Sequence, residues 1–136
     1  MKVTDVRIKL INDIEDRLRA FCSITLDGEF VVRDLKIIQG LRGCFVAMPS
    51  RKILERCVNC HGKNEIKARF CANCGTALSA TPVEASGRTR MFADIAHPIN
   101  AECRERIEGS VLLAFEEEMQ KSRQPGYTCR YDDYDE

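Results

Sequence analysis

Four of the chain's eight cysteines fall close together, as Cys57-Val-Asn-Cys60 and Cys71-Ala-Asn-Cys74, two C-x-x-C pairs with ten residues between them. A C-x-x-C turn presents two thiolates from one side, and two such turns face to face complete a tetrahedron. A filled d-shell accepts that geometry without objection. The spacing therefore predicts one zinc ion per chain on Cys57, Cys60, Cys71 and Cys74, with iron in the same cage as the rival. Four thiolates leave no coordination position open for water or substrate, which points to a structural ion. A redox dithiol is disfavoured, because no βαβ pattern surrounds either pair. The gap leaves room for a hairpin through Ile66 and Phe70, and Gly62 and Gly75 follow the turns, where a positive φ is often needed.

The stretch CVNCHGKNEIKARFCANCGTAL resembles short zinc ribbons that read C-x-x-C-G, a hairpin, then F-C-x-x-C-G, with His61 standing before Gly62 as a departure. His61 is read as an exposed knuckle residue, since four thiolates already fill the shell. Arg56, Lys63, Lys67 and Arg69 lie nearby. They either offset the cage's net charge of about −2 or form a phosphate-binding face. The first is favoured, as no aromatic residues are interleaved for base stacking.

Little else could do chemistry. Asp94 and His97 are three residues apart, but no nucleophile is tied to them, and a hydrogen-bonded structural histidine is the expectation. Ser50 and Ser110 lack a nucleophile elbow, and no Gly-rich phosphate loop is present. The chain is therefore not expected to be an enzyme. Cys22, Cys44 and Cys103 are expected in the core, as are Met48 and Met119. Cys129 stands alone near the end.

The elements around these residues follow from hydrophobic period. Val6, Ile8 and Leu10 alternate with charged residues, as do Leu18 to Leu26, and both read as strands. Asp27-Gly28 predicts a tight hairpin turn. Phe30–Ile38 and Cys44–Met48 are further strands, the last ended by Pro49. Met91–Ile95 reads as another short strand. Asn100 is a good N-cap for a helix whose apolar stripe is Cys103, Ile107, Val111, Phe115 and Met119. The fold class is thus α+β: an antiparallel sheet of four or five strands, one C-terminal helix, and an inserted four-cysteine zinc ribbon. The organisation expected is a sheet portion over 1–52, the ribbon insert over 53–80, a linker over 81–90, a strand and helix over 91–122, and an acidic, disordered tail over 123–136.

Net charge is zero, yet residues 51–90 hold eight Lys and Arg against three Asp and Glu. The N-terminus carries charges throughout, which argues against a signal peptide, and no apolar run is long enough to span a bilayer. A cytoplasmic location is expected, where thiols stay reduced and favour metal over disulfides.

With residues 53–88 removed, the remainder resembles the SpoVG (stage V sporulation protein G, septation regulator) family of bacteria. The resemblance rests on SITLDGEFVV (Ser23 to Val32), FVAMPS (Phe45 to Ser50) and DIAHPI (Asp94 to Ile99). It implies a small antiparallel sheet with a C-terminal helix, a homodimer that binds DNA or RNA, and a role in gene regulation. The resemblance places nucleic-acid contact on Arg51 and Lys52, with Arg88 and Arg90 across the insert as further candidates. Exposed strand edges and a small core also favour dimerisation. The competing reading is an adaptor, in which the ribbon recruits a protein partner and the sheet only dimerises.

Overall fold

In the computed structural model, which describes residues 1–12, 15–78 and 91–132, the first fifty residues form the meander that their alternating pattern requires. Strands β1 (Val3–Leu10), β2 (Leu18–Leu26), β3 (Phe30–Gly40) and β4 (Gly43–Ala47) pair antiparallel in sequence order. Asp27 and Gly28 have φ of 52° and 66°, and the Glu29 amide donates to the Leu26 carbonyl at 3.0 Å. Two left-handed residues in a row are what a type I′ hairpin turn needs, and its twist suits the strands it joins.

Helix α1 (Ala101–Ser122) covers one face of this sheet. The Asn100 side chain accepts from the Cys103 amide at 2.8 Å, satisfying a first-turn donor. Ile107, Val111 and Phe115 recur every fourth residue, so one helical stripe meets Ile8, Ala20, Cys22, Ile24, Leu35, Ile37 and Val46. Cys103, Met48 and Met119 pack around that cluster. Burial pushes the Cys22 thiol up to about 12, so it stays neutral and packs as a small apolar group.

Strand β5 (Ser50–Lys52) pairs with β8 (Phe92–Asp94), and β6 (Leu54–Arg56) pairs with β7 (Lys63–Glu65). These belong to a second compact unit, Ser50–Ile95, while the first comprises Met1–Pro49 and Ala96–Glu136. The ribbon expected over 53–80 lies inside this second unit. Of the four or five strands expected in the main sheet, four are present; 92–94 pairs with 50–52 in the second unit, where three residues pair with three and Phe92 stays half exposed. The linker over 81–90, with Arg88 and Arg90, lies outside the described residues. Among the described residues, no helix is long and apolar enough to cross a membrane.

The segment after α1 is not the disordered tail that its acidic composition predicts, as far as residue 132. The Tyr127 hydroxyl donates to Glu118 at 2.8 Å, and the Cys129 thiol reaches the Ile8 carbonyl at 3.5 Å. Arg7 donates to the Arg130 carbonyl, and Tyr131 is only 5% exposed. Its ring lies 5.0 Å from the Arg33 guanidinium, which also pairs with Asp132 at 2.8 Å. Composition marks the acids as solvated; it does not register one aromatic that finds a cation and a buried seat.

Candidate metal centre

Each cysteine pair sits in a turn closed by the same backbone bonds. The Cys57 amide donates to the Gly62 carbonyl at 2.8 Å and the His61 amide to the Cys57 carbonyl at 2.9 Å. At the second pair the Cys71 amide donates to the Thr76 carbonyl and the Gly75 amide to the Cys71 carbonyl, both at 2.9 Å. The strands feeding the two turns differ. The β6–β7 pair flanks the first, whereas a single bridge between Phe70 and Ala77 flanks the second. One hairpin through Ile66 and Phe70 is therefore not what links them: Ile66 is buried, but Phe70 is 65% exposed.

The four Sγ atoms lie within 4.8 Å of one another, with Cys57 to Cys74 at 3.7 Å and Cys60 to Cys71 at 3.5 Å. A tetrahedral ion with metal–sulfur bonds of ~2.3 Å sets its sulfurs about 3.8 Å apart, so the cage fits such an ion. All eight cysteines are free thiols, and Cys57 and Cys71 are buried.

Hydrogen bonds to sulfur give the cage its charge stabilisation. The amides of Asn59, Asn73 and Gly62 point at Cys57, Cys71 and Cys60, each at 3.4 Å. The Asn side chains cross over: Asn59 reaches Cys74 at 3.6 Å, and Asn73 reaches Cys60 at 3.4 Å. Buried Asn64 donates to Cys71 at 3.3 Å while accepting from the Ala72 amide. The Thr76 hydroxyl and amide, with Asn59, pull the Cys74 thiol down to about 5. The Cys74 amide and the Asn64 side chain lower Cys71. Such donors favour thiolates over thiols and orient them for a cation. Sequence reasoning passed over Asn59 and Asn73, although the shared pattern C-x-N-C in both turns was their signal.

His61, not Gly62, takes the left-handed position in the first turn, with φ of 63°; its counterpart Gly75 has φ of 80°. Gly62 is needed for another reason. A Cβ there would meet Asn73 and the Cys60 sulfur at 3.3 Å. Because His61 holds a conformation that costs a non-glycine residue, His61→Gly is expected to stabilise the metal-loaded protein by about 0.5–1 kcal/mol, net of glycine's backbone entropy. Thermal unfolding with metal bound would read it; a lower transition would mean that the imidazole does something more than fill a turn.

Arg51 and Lys52 are exposed neighbours on β5 and so project to opposite faces of that strand. Lys52 pairs with Glu65 at 3.0 Å, whereas no ion pair holds Arg51 among the described residues. His97 Nδ1 lies 3.0 Å from the carbonyl of its neighbour Pro98, a local contact within the chain.

The SpoVG family model matches residues 1–117, a span that includes the main sheet, the cage and most of α1. A protein of Finegoldia magna, provisionally named septation protein SpoVG, is 38% identical over 121 residues, covering 89% of this chain and 80% of its own. Proteins with the same provisional name from Bdellovibrio bacteriovorus and an Anaeromyxobacter species are 37% and 35% identical. Each of those two matches covers 98% of this chain and 100% of the relative, so the cage lies within the compared span.

Proposed function

The chain belongs to the SpoVG family, and from that premise we propose that it is a nucleic-acid-binding regulator, acting as a homodimer, whose second unit is held by a structural zinc ion. Zinc suits the site because four thiolates at tetrahedral spacing close the shell and leave no open position. The single observation behind nucleic-acid binding is the charge of residues 51–90, eight Lys and Arg against three Asp and Glu. That excess is more than the cage's charge of about −2 requires. Arg51 and Lys52 are the proposed phosphate contacts, with Arg88 and Arg90 as further candidates. Sequence preference should be weak, since α1 is the one helix among the described residues and gives its apolar stripe to the core.

Gel shifts over a salt series test this. Arg51→Ala is expected to weaken binding several-fold and to reduce the slope of log affinity against log salt by about 1. Lys52→Ala should do less, because its ammonium already has Glu65. Unchanged affinity in both variants removes the pair from the interface.

One observation favours the adaptor reading instead. The second unit exposes Val58 at 87% and Phe70 at 65%, apolar groups suited to a protein partner. Heparin separates the two: retention at low salt supports phosphate binding, and flow-through supports the adaptor.

A further inference from the structure

The face of the main sheet opposite α1 carries an ordered set of cations and rings. Lys9, Phe21 and Lys36 are register neighbours on β1, β2 and β3, and Ala47 completes the row on β4. Their chain neighbours Ile8, Ala20, Cys22, Leu35, Ile37 and Val46 form the core under the helix. Strand alternation therefore turns the row to the other side. One step along, Ile38 pairs with Phe45. The Phe45 ring lies over Gly40, where a Cβ would come within 3.2 Å of it, and the ring is 42% exposed.

Charge on this face is unevenly committed. Arg7 is held by Asp5, and Arg33 by Asp132 and Tyr131. Lys9 and Lys36 are exposed and make no ion pair among the described residues. The two lysines thus flank Phe21 on either side, about 10 Å apart across two strand spacings.

Rings alternating with uncommitted ammonium groups match a polymer that alternates bases with phosphates. A duplex hides its base faces in its own stack and offers nothing to a ring on a sheet surface. An unpaired strand offers them freely. A second copy of this chain fits less well, because Asp5 and Asp132 on this face are already paired with Arg7 and Arg33 and are not free to meet Lys9 and Lys36 of another copy. We propose that this face is a stacking platform for single-stranded nucleic acid, with Phe21 and Phe45 taking bases and Lys9 and Lys36 taking phosphates. This rests on the nucleic-acid reading above and adds strandedness and a site in the first unit.

The test uses the full-length, metal-loaded chain with fluorescent oligo-dT and oligo-U strands of a dozen nucleotides and a blunt DNA duplex of equal length. The single strands are expected to bind more tightly than the duplex. Phe45→Leu, which keeps an apolar side chain and loses the π-face, should raise Kd roughly tenfold. Lys9→Gln and Lys36→Gln should each reduce the salt slope by about 0.7. Thermal unfolding of each variant checks that it is folded. Preference for the duplex overturns the proposal. So does normal single-strand binding by all three variants, although the regulator reading then stands. If the wild type binds neither probe, both readings fall. If Phe45→Leu turns a dimer into a monomer on gel filtration, the face joins two copies and the platform is wrong.

Discussion

Stripping the ion with a strong chelator, or replacing Cys57 with Ser, is expected to unfold Ser50–Ile95 and leave the sheet and helix intact. The reason is how little else holds the second unit. Its strands are three residues long, and besides Cys57 and Cys71 only Ile66 and Asn64 are buried among its described residues. Even Asn64 is spent on Cys71 and the Ala72 amide. A three-residue pair cannot stand alone in water. In small domains of this kind the ion supplies on the order of 10 kcal/mol of folding free energy. Amide NMR spectra should then lose the dispersed resonances of residues 50–78, while those of β1 to β4 and α1 stay in place. Elemental analysis of the untreated protein should return one zinc per chain. A second unit that stays equally ordered after chelation would refute the metal's structural role.

The opposite experiment concerns the first unit. Phe115→Ala should destabilise it by about 3–5 kcal/mol, because a large ring is removed from a stripe that the sheet cannot collapse to fill. Phe115 is 6% exposed and closes the row begun by Ile107 and Val111 against Leu35 and Ile37. Leu113, two residues earlier on the same helix, is 61% exposed. Leu113→Ala should cost well under 1 kcal/mol, which makes it the internal control. Urea unfolding followed by far-UV circular dichroism measures both. Near-equal midpoints would mean that α1 does not dock through the stripe described. The metal content of Phe115→Ala should stay at that of the wild type, since the four cysteines and the donors on their sulfurs all lie within Ser50–Ile95.

Patterns of period two and four were enough to place β1 to β4 and α1, because each element there buries one face. Asp27-Gly28 and Asn100 gave local signals whose mechanism is in the backbone itself. The cage was legible for a different reason: thiolate chemistry fixes spacing as well as identity. Legibility failed where stability comes from single partners. The strand at 92–94 has no period to reveal that it pairs with 50–52. His61 took a left-handed backbone that glycine statistics assign to Gly62. Tyr131 is seated by Arg33 and Asp34, which lie almost a hundred positions away, and no local window joins them. The crossed Asn59 and Asn73 bonds also escaped notice, since an Asn in a turn normally needs no further explanation.

The two outermost strands of the sheet are each stoppered from within the chain. The bond from the Ile11 amide to the Arg19 carbonyl sets the β1–β2 ladder so that the Ile8 carbonyl points outward, and Cys129 meets it there. On β4, the outward Val46 amide finds the Glu108 carboxylate. An open strand is a template on which further copies can polymerise, and cells lose protein to aggregates by that route. Here Glu108 on the helix and Cys129 beyond it each occupy one outward backbone group, so strand addition at either edge has first to displace a side chain of the same chain.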